Sequence, residues 1–162
     1  MRIEPSVFRK VLGHLPTGVT VVTANGVDGP VGMACNSVSS VSLEPPLISL
    51  CPARTSETWR ALRERGRFCV NVMANHHEAA TRAFARKGVD RFAGIAHHPR
   101  AGGPALDDAV AWLDCEIHAV HEAGDHLIVV AEVVALDARP DVAPLVFFRG
   151  GYGTFTPRLA MR

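Results

Sequence analysis

Asn36-Ser37-Val38-Ser39-Ser40-Val41-Ser42-Leu43-Glu44-Pro45-Pro46 is the stretch on which the reading of this chain turns. Val38, Val41 and Leu43 keep an extended apolar rhythm, and Pro45-Pro46 blocks any helix. The segment thus reads as strand followed by turn, studded with small hydroxyl and amide groups. Such a run can wrap a planar heteroaromatic ring with backbone N–H and C=O while leaving the ring's face open. It can equally be a turn rich in local side-chain hydrogen bonds, and composition alone favours that plainer reading.

Toward the N-terminus, Val31 begins a strand that is entered from a hairpin turn at Asn25, Gly26, Asp28 and Gly29. Val19 to Thr23 is β-branched throughout and reads as the partner strand. Before it, Pro5, Ser6 and the spacing Phe8, Val11, Leu12, Leu15 read as a short amphipathic helix that Pro16 ends. Toward the C-terminus, Leu47 to Cys51 is a short buried strand. Thr55 and Ser56 are candidate N-caps for a helix through Trp59 and Leu62, closed near Gly66. Phe68, Val70 and Val72 alternate as a strand, with Asn71 on the other face. His77 to Lys87 reads as a helix with Ala80, Ala83 and Phe84 inward, and Gly88 to Asp108 as a loop. Three further strands follow: Leu113 to Ala119, Leu127 to Leu136, and Leu145 to Phe148 before Gly150-Gly151-Tyr152-Gly153.

About seven strands at short spacing with two or three non-alternating helices disfavour a parallel doubly wound sheet. The expected fold is mostly β: an antiparallel barrel, closed or nearly so, with peripheral helices. The length of 162 residues fits one domain. Apolar residues make up 48% and charged residues 20%, a globular profile. Seventeen basic against sixteen acidic residues leave a net charge of +1, which gives no reason to expect nucleic acid or an anionic membrane as partner. The four cysteines, Cys35, Cys51, Cys69 and Cys115, form no C-x-x-C pair. No apolar stretch is long enough to span a bilayer and no signal segment opens the chain, so a reducing cytoplasm is the expected location.

Several chemistries have no motif here. There is no G-x-G-x-x-G, no phosphate-cradling G-x-x-x-x-G-K and no G-x-S-x-G elbow. His118 and His121 lie three apart on a predicted strand and face opposite sides, and His76-His77 and His97-His98 read as surface pairs, so no metal site is expected.

With its surroundings, the serine-rich segment resembles the flavin reductase-like split-barrel family, the small reductase components of two-component flavin monooxygenases. The matching features run in order: Phe8-Arg9, then Pro16-Thr17-Gly18-Val19 and Val21-Val22-Thr23, then Gly32-Met33 leading into Asn36 to Leu43 and Pro45-Pro46. Cys51, Ser56-x-Thr58, Phe68-x-Val70-Asn71-Val72, Phe84-Ala85 and Asp90-Arg91-Phe92 follow. Gly124-Asp125-His126, Pro144-Leu145 and Tyr152 close the series. Each piece is weak alone; their order and spacing together are specific. Ala34 departs from the family, which often has Thr there.

The resemblance implies a split barrel of FMN-binding type as a single domain over 1–162, with a core of about 5–155. It implies that the isoalloxazine ring lies against Asn36, Ser37, Val38, Ser39 and Ser40, and that Cys51, Arg54, Ser56 and Thr58 flank the ribityl chain and phosphate. The phosphate assignment has independent sense, because a helix start offers free N–H groups and a favourable dipole. Thr17, Gly18, Asn71 and Phe92 complete the implied cofactor set, and Lys87 and Arg91 add positive charge near phosphate or adenylate. His126 is the implied catalytic residue, beside the exposed flavin face, where it positions the nicotinamide and supplies a proton. Arg9, Tyr152 and Gly153 join it on the nicotinamide side. The implied activity is NAD(P)H:flavin oxidoreduction, which supplies reduced FAD or FMN by diffusion to a separate monooxygenase or halogenase. The implied assembly is a homodimer. The alternative on the same barrel is a non-catalytic flavin- or haem-binding module that holds its chromophore tightly and oxidises no nicotinamide.

Overall fold

The computed structural model describes residues 3–157. Helix α1 (Pro5–Leu12) leads into strands β1 (Thr17–Gly18), β2 (Thr20–Asn25), β3 (Pro30–Cys35), β4 (Ser39–Leu43) and β5 (Pro46–Leu50). Helix α2 (Glu57–Arg65), strand β6 (Arg67–Val72), a 3₁₀ turn (Asn75–His77) and helix α3 (Glu78–Ala85) follow. Strands β7 (His97–Pro99), β8 (Pro104–Leu106), β9 (Ala111–Ala123), β10 (His126–Ala138), β11 (Leu145–Phe148) and β12 (Gly151–Thr154) complete the chain.

Seven strands form one sheet in the order β3-β2-β6-β9-β10-β5-β4, every pairing antiparallel. Its two outermost strands, β3 and β4, are consecutive in the chain. In a flat sheet six inter-strand steps would hold them ~29 Å apart. The four residue steps from Cys35 to Ser39 reach at most ~14 Å. The sheet must therefore roll until its edges approach, and no ladder joins β3 to β4. The barrel is split at the serine-rich bend, short of the full closure that was one of the two expectations.

The roll encloses a core of Val22, Leu50, Trp59, Leu62, Phe68, Val70 and Val129. The opposite face of β2 is buried as well: Val19 and Val21 pack with Met73, Phe84, Leu106 and Leu145 beneath α3 and a small sheet of order β1-β11-β12. Burial on both faces is why Val19 to Thr23 is apolar or β-branched without alternation. β9 and β10 slip register twice, leaving His118 and Val134 as the extra residues. Such bulges bend a long hairpin and add twist, as the roll requires.

The segment expected as the loop 88–108 carries the hairpin β7-β8. It lies so close to the main sheet that a Cβ on Gly102 would collide with the Phe68 carbonyl oxygen. The amphipathic helix is present as α1, but none of its residues is buried. Asn71 needs a correction. Its amide donates to Val21 O (2.9 Å) and Thr23 Oγ1 (3.1 Å), and its Oδ1 accepts the Leu106 N–H (2.7 Å). With every one of these groups engaged at zero exposure, Asn71 ties β2, β6 and β8 together and has nothing left for a cofactor.

Candidate functional site

His126 stands at the start of β10, behind a two-residue hairpin loop of Gly124 and Asp125. Gly124 adopts φ +66°, a conformation that favours glycine. On its other side His126 bridges Ala53, and the Arg54 N–H donates to the Asp125 carbonyl (3.0 Å). The His126 Nδ1 lies 2.7 Å from Asp125 Oδ1. That hydrogen bond first, and the imidazole's charge second, hold the Asp125 carboxyl below the usual carboxylate range, with a smaller pull from Arg9 on α1. An ionised carboxylate only accepts, so Nδ1 carries the proton of this pair. Nε2 is the ring's free nitrogen: it makes no hydrogen bond among the described residues.

From Ala53 the chain runs back through Cys51 to the bend. The Cys51 N–H donates to Ser37 Oγ (2.8 Å), which also lies 3.2 Å from Cys35 Sγ. Burial pushes the Cys51 thiol up and nearby Cys35 adds to the rise, while the Ser37 hydrogen bond opposes it. Beyond the bend, Cys35 and Asn36 line a cavity of about 160 Å³ with Val19, Ala34, Thr81, Phe147 and Tyr152. The small sheet supplies its aromatic wall. Phe147 on β11 has Thr17 and Tyr152 as its two cross-strand partners, and Val146 has Gly18 and Gly153. Four of the expected residues are thus gathered on the small sheet from the two ends of the chain, and one of them, Tyr152, lines the cavity with Asn36. The Thr17 hydroxyl is buried and has no partner among the described residues.

A second cavity, of about 260 Å³, lies at the start of α2 and includes Gly32, Thr58, Asp90, Arg91 and Phe92. Ser56 caps α2 by accepting the Trp59 N–H (3.1 Å). The Arg91 guanidinium donates to Arg86 O (2.7 Å), Gly32 O (2.7 Å) and Thr58 Oγ1 (2.8 Å). None of these partners is a carboxylate. A half-buried guanidinium whose hydrogen-bond partners are all neutral, one of them Thr58 in the first turn of α2, is a place where a phosphate would add negative charge, although Asp90 lines the same cavity. Phe92 packs edge-on against Phe84 at 5.0 Å and lines this cavity. Lys87 is exposed beside it on the chain.

Other expected residues fall elsewhere. Arg54, expected near the phosphate, reaches the His126 hairpin instead, at Gly124 O (3.4 Å) and Glu122 (3.4 Å). Ser39 and Ser40 stand exposed on β4 and line neither cavity. Val38 packs against the main core. Thr81, Phe147 and Cys35 line the first cavity without having been expected there. Thr81 carries no local signal, since it lies within the Ala80 to Phe84 helical pattern and meets the bend only through the tertiary fold.

Comparison with known proteins places the chain in a family. Residues 12–156 match the model of the flavin reductase like domain. The chain is 44% identical over 155 residues to a flavin reductase of Pseudomonas putida, covering 94% of this chain and 91% of that protein. It is 42% identical over 159 residues to the reductase subunit of a flavin-dependent monooxygenase of Mycobacterium tuberculosis, covering 96% and 85%. A solved NADH:FAD oxidoreductase of Streptomyces globisporus, in complex with NAD and FAD fragments, superposes with a TM-score of 0.91 at 36% identity, covering 98% of this chain and 99% of that one.

Proposed function

This chain belongs to the flavin reductase like domain family, and from that premise we propose that it oxidises NADH, passes the hydride to a flavin, and releases the reduced flavin to a separate oxygenase. The observation that carries the reading is one continuous track of residues. It runs from the Asn36 cavity, through the Ser37–Cys51 hydrogen bond, to the Ala53–His126 bridge. A flavin fits the residues present: the bend offers backbone groups to a ring edge, and Arg91 lacks an anionic partner at the start of α2. When bound, the flavin supplies the N5 position that accepts hydride.

The protein's own part is positional. Hydride transfer needs donor and acceptor held roughly 3–3.5 Å apart with faces aligned. The Ser37–Cys51 bond holds the bend against the Cys51 segment. His126, oriented by Asp125, presents Nε2 at the far end of the track, where it accepts a hydrogen bond from the nicotinamide substrate and can pass on a proton that it takes from solvent. Arg9, within electrostatic reach of Asp125, faces the same end.

The working form is a homodimer. Val7, Phe8, Val11 and Leu12 on α1 are 46–60% exposed, an apolar helix face left uncovered by the described residues of one copy. A second copy covering α1 would also bring Arg9 into a defined place.

Purified protein is expected to oxidise NADH only when FAD or FMN is added. Absence of flavin-dependent turnover would remove the proposal, and a tightly held chromophore without NADH oxidation would favour a binding module instead.

A further inference from the structure

Thr81 is 1% exposed, and its Oγ1 has no hydrogen-bond partner among the described residues. A buried hydroxyl left unpaired costs free energy, and a helical threonine ordinarily escapes by bonding the carbonyl four residues back. Thr81 does not take that route. It lies instead against the cavity that Asn36 and Tyr152 share.

The chemistry of that cavity is specific. Its polar groups are a hydroxyl (Thr81), a carboxamide (Asn36), a phenol (Tyr152) and a thiol (Cys35), and its remaining walls, Val19, Ala34 and Phe147, are apolar. No charged side chain of the described residues lines it. Arg82 lies over the Tyr152 ring at 4.8 Å, but its guanidinium is paired with Glu78 (2.8 Å). Thr81, Asn36 and Tyr152 make no side-chain hydrogen bond among the described residues. A neutral cavity with idle donors and acceptors and an aromatic wall suits a flat ring bearing an uncharged group that both donates and accepts. A primary carboxamide is such a group, whereas a phosphate or carboxylate finds no cation among the described residues that line it. The cavity adjoins the bend, since its Cys35 thiol lies 3.2 Å from Ser37 Oγ.

We propose that this cavity receives the carboxamide end of the nicotinamide substrate and that Thr81 is a positioning residue for hydride transfer. The inference rests on the flavin reductase reading above. The Thr81 hydroxyl pairs with the carboxamide and fixes the rotation of the dihydropyridine ring against the bend. His126 is then left to the ribose side of the substrate and to the proton.

The test compares the full-length protein with Thr81→Val, Thr81→Ala and Thr81→Ser, using NADH and added FAD. Removing the hydroxyl is expected to raise the KM for NADH about tenfold, the effect of one lost buried hydrogen bond. It should slow flavin reduction in single turnovers and leave FAD affinity, read by fluorescence quenching, unchanged. Thr81→Val should melt no lower than wild type, because it removes an unpaired polar atom from the interior. Thr81→Ser should restore the NADH kinetics; should Thr81→Val fold poorly, Thr81→Ala carries the same kinetic expectation. Unchanged NADH kinetics in the hydroxyl-free variants would overturn the proposal, as would a loss of FAD affinity in place of NADH affinity. A wild-type protein without flavin-dependent NADH oxidation would instead remove the reading on which it rests.

Discussion

His126 illustrates how little covalent machinery this chemistry asks of a residue. The side chain is half exposed, and what distinguishes it is orientation: Asp125 accepts the Nδ1–H hydrogen bond and leaves Nε2 unengaged. His126→Ala is expected to lower kcat/KM for NADH by about tenfold to a hundredfold, roughly 1.4–2.7 kcal/mol of transition-state stabilisation. FAD affinity should change little, and stopped-flow reduction together with a flavin titration checks both; an equal loss of flavin affinity would mark the residue as structural. Ser56 behaves differently because it already has a structural task. Ser56→Ala removes the cap on α2 and should cost about 1 kcal/mol of stability, read by denaturant unfolding. The same change should weaken FAD, because the N–H groups the phosphate would use lose their fixed geometry.

At the scale of elements, the 3₁₀ turn Asn75–His77 clamps two connections. His77 Nδ1 accepts the Ala74 N–H (3.3 Å), which requires that nitrogen to be unprotonated. Burial first, and neighbouring His76 second, lower the His77 pKa, with a small further push from Arg139. Asp108 and the Asp107 backbone oppose the shift without reversing it. The folded state thus prefers neutral His77, whereas the unfolded chain protonates it near the ordinary value of about 6.5. Below that pH, down to the folded-state pKa, the unfolded chain binds more protons, so stability is present above about pH 6.5 and is lost on acidification through this window. The melting temperature of wild type should fall more steeply from pH 7.5 to 5.5 than that of His77→Gln. Parallel slopes would show that His77 is not responsible. Elsewhere among the elements, burial pushes both the Cys69 and Cys115 thiols up to about 12, so these two are inert core residues. That agrees with reading cysteines in apolar runs as small hydrophobes.

For the whole molecule, the exposed apolar face of α1 is the feature most at odds with an isolated copy. Val11→Asp puts a charge on that face without touching either cavity. It is expected to convert a dimer to a monomer in sedimentation and to lower NADH turnover through the displaced Arg9. A wild-type protein that sediments as a monomer at micromolar concentration would remove the homodimer proposal.

The sequence by itself determined the strand-rich plan, the hairpin at Gly26 to Gly29 and the cap at Ser56, because each depends on residues close together in the chain. Alternation of apolar residues, β-branching and the conformational preferences of glycine and proline act over a few positions and need no partner to be recognised. Only the tertiary structure decided that Asn71 belongs to the core, that Arg54 reaches the His126 hairpin, and that Thr81 meets Asn36 and Tyr152. Those outcomes depend on how far a seven-stranded sheet rolls and on which of several polar groups finds its partner first. Burial assigns such partners across tens of residues, and no local pattern records the choice.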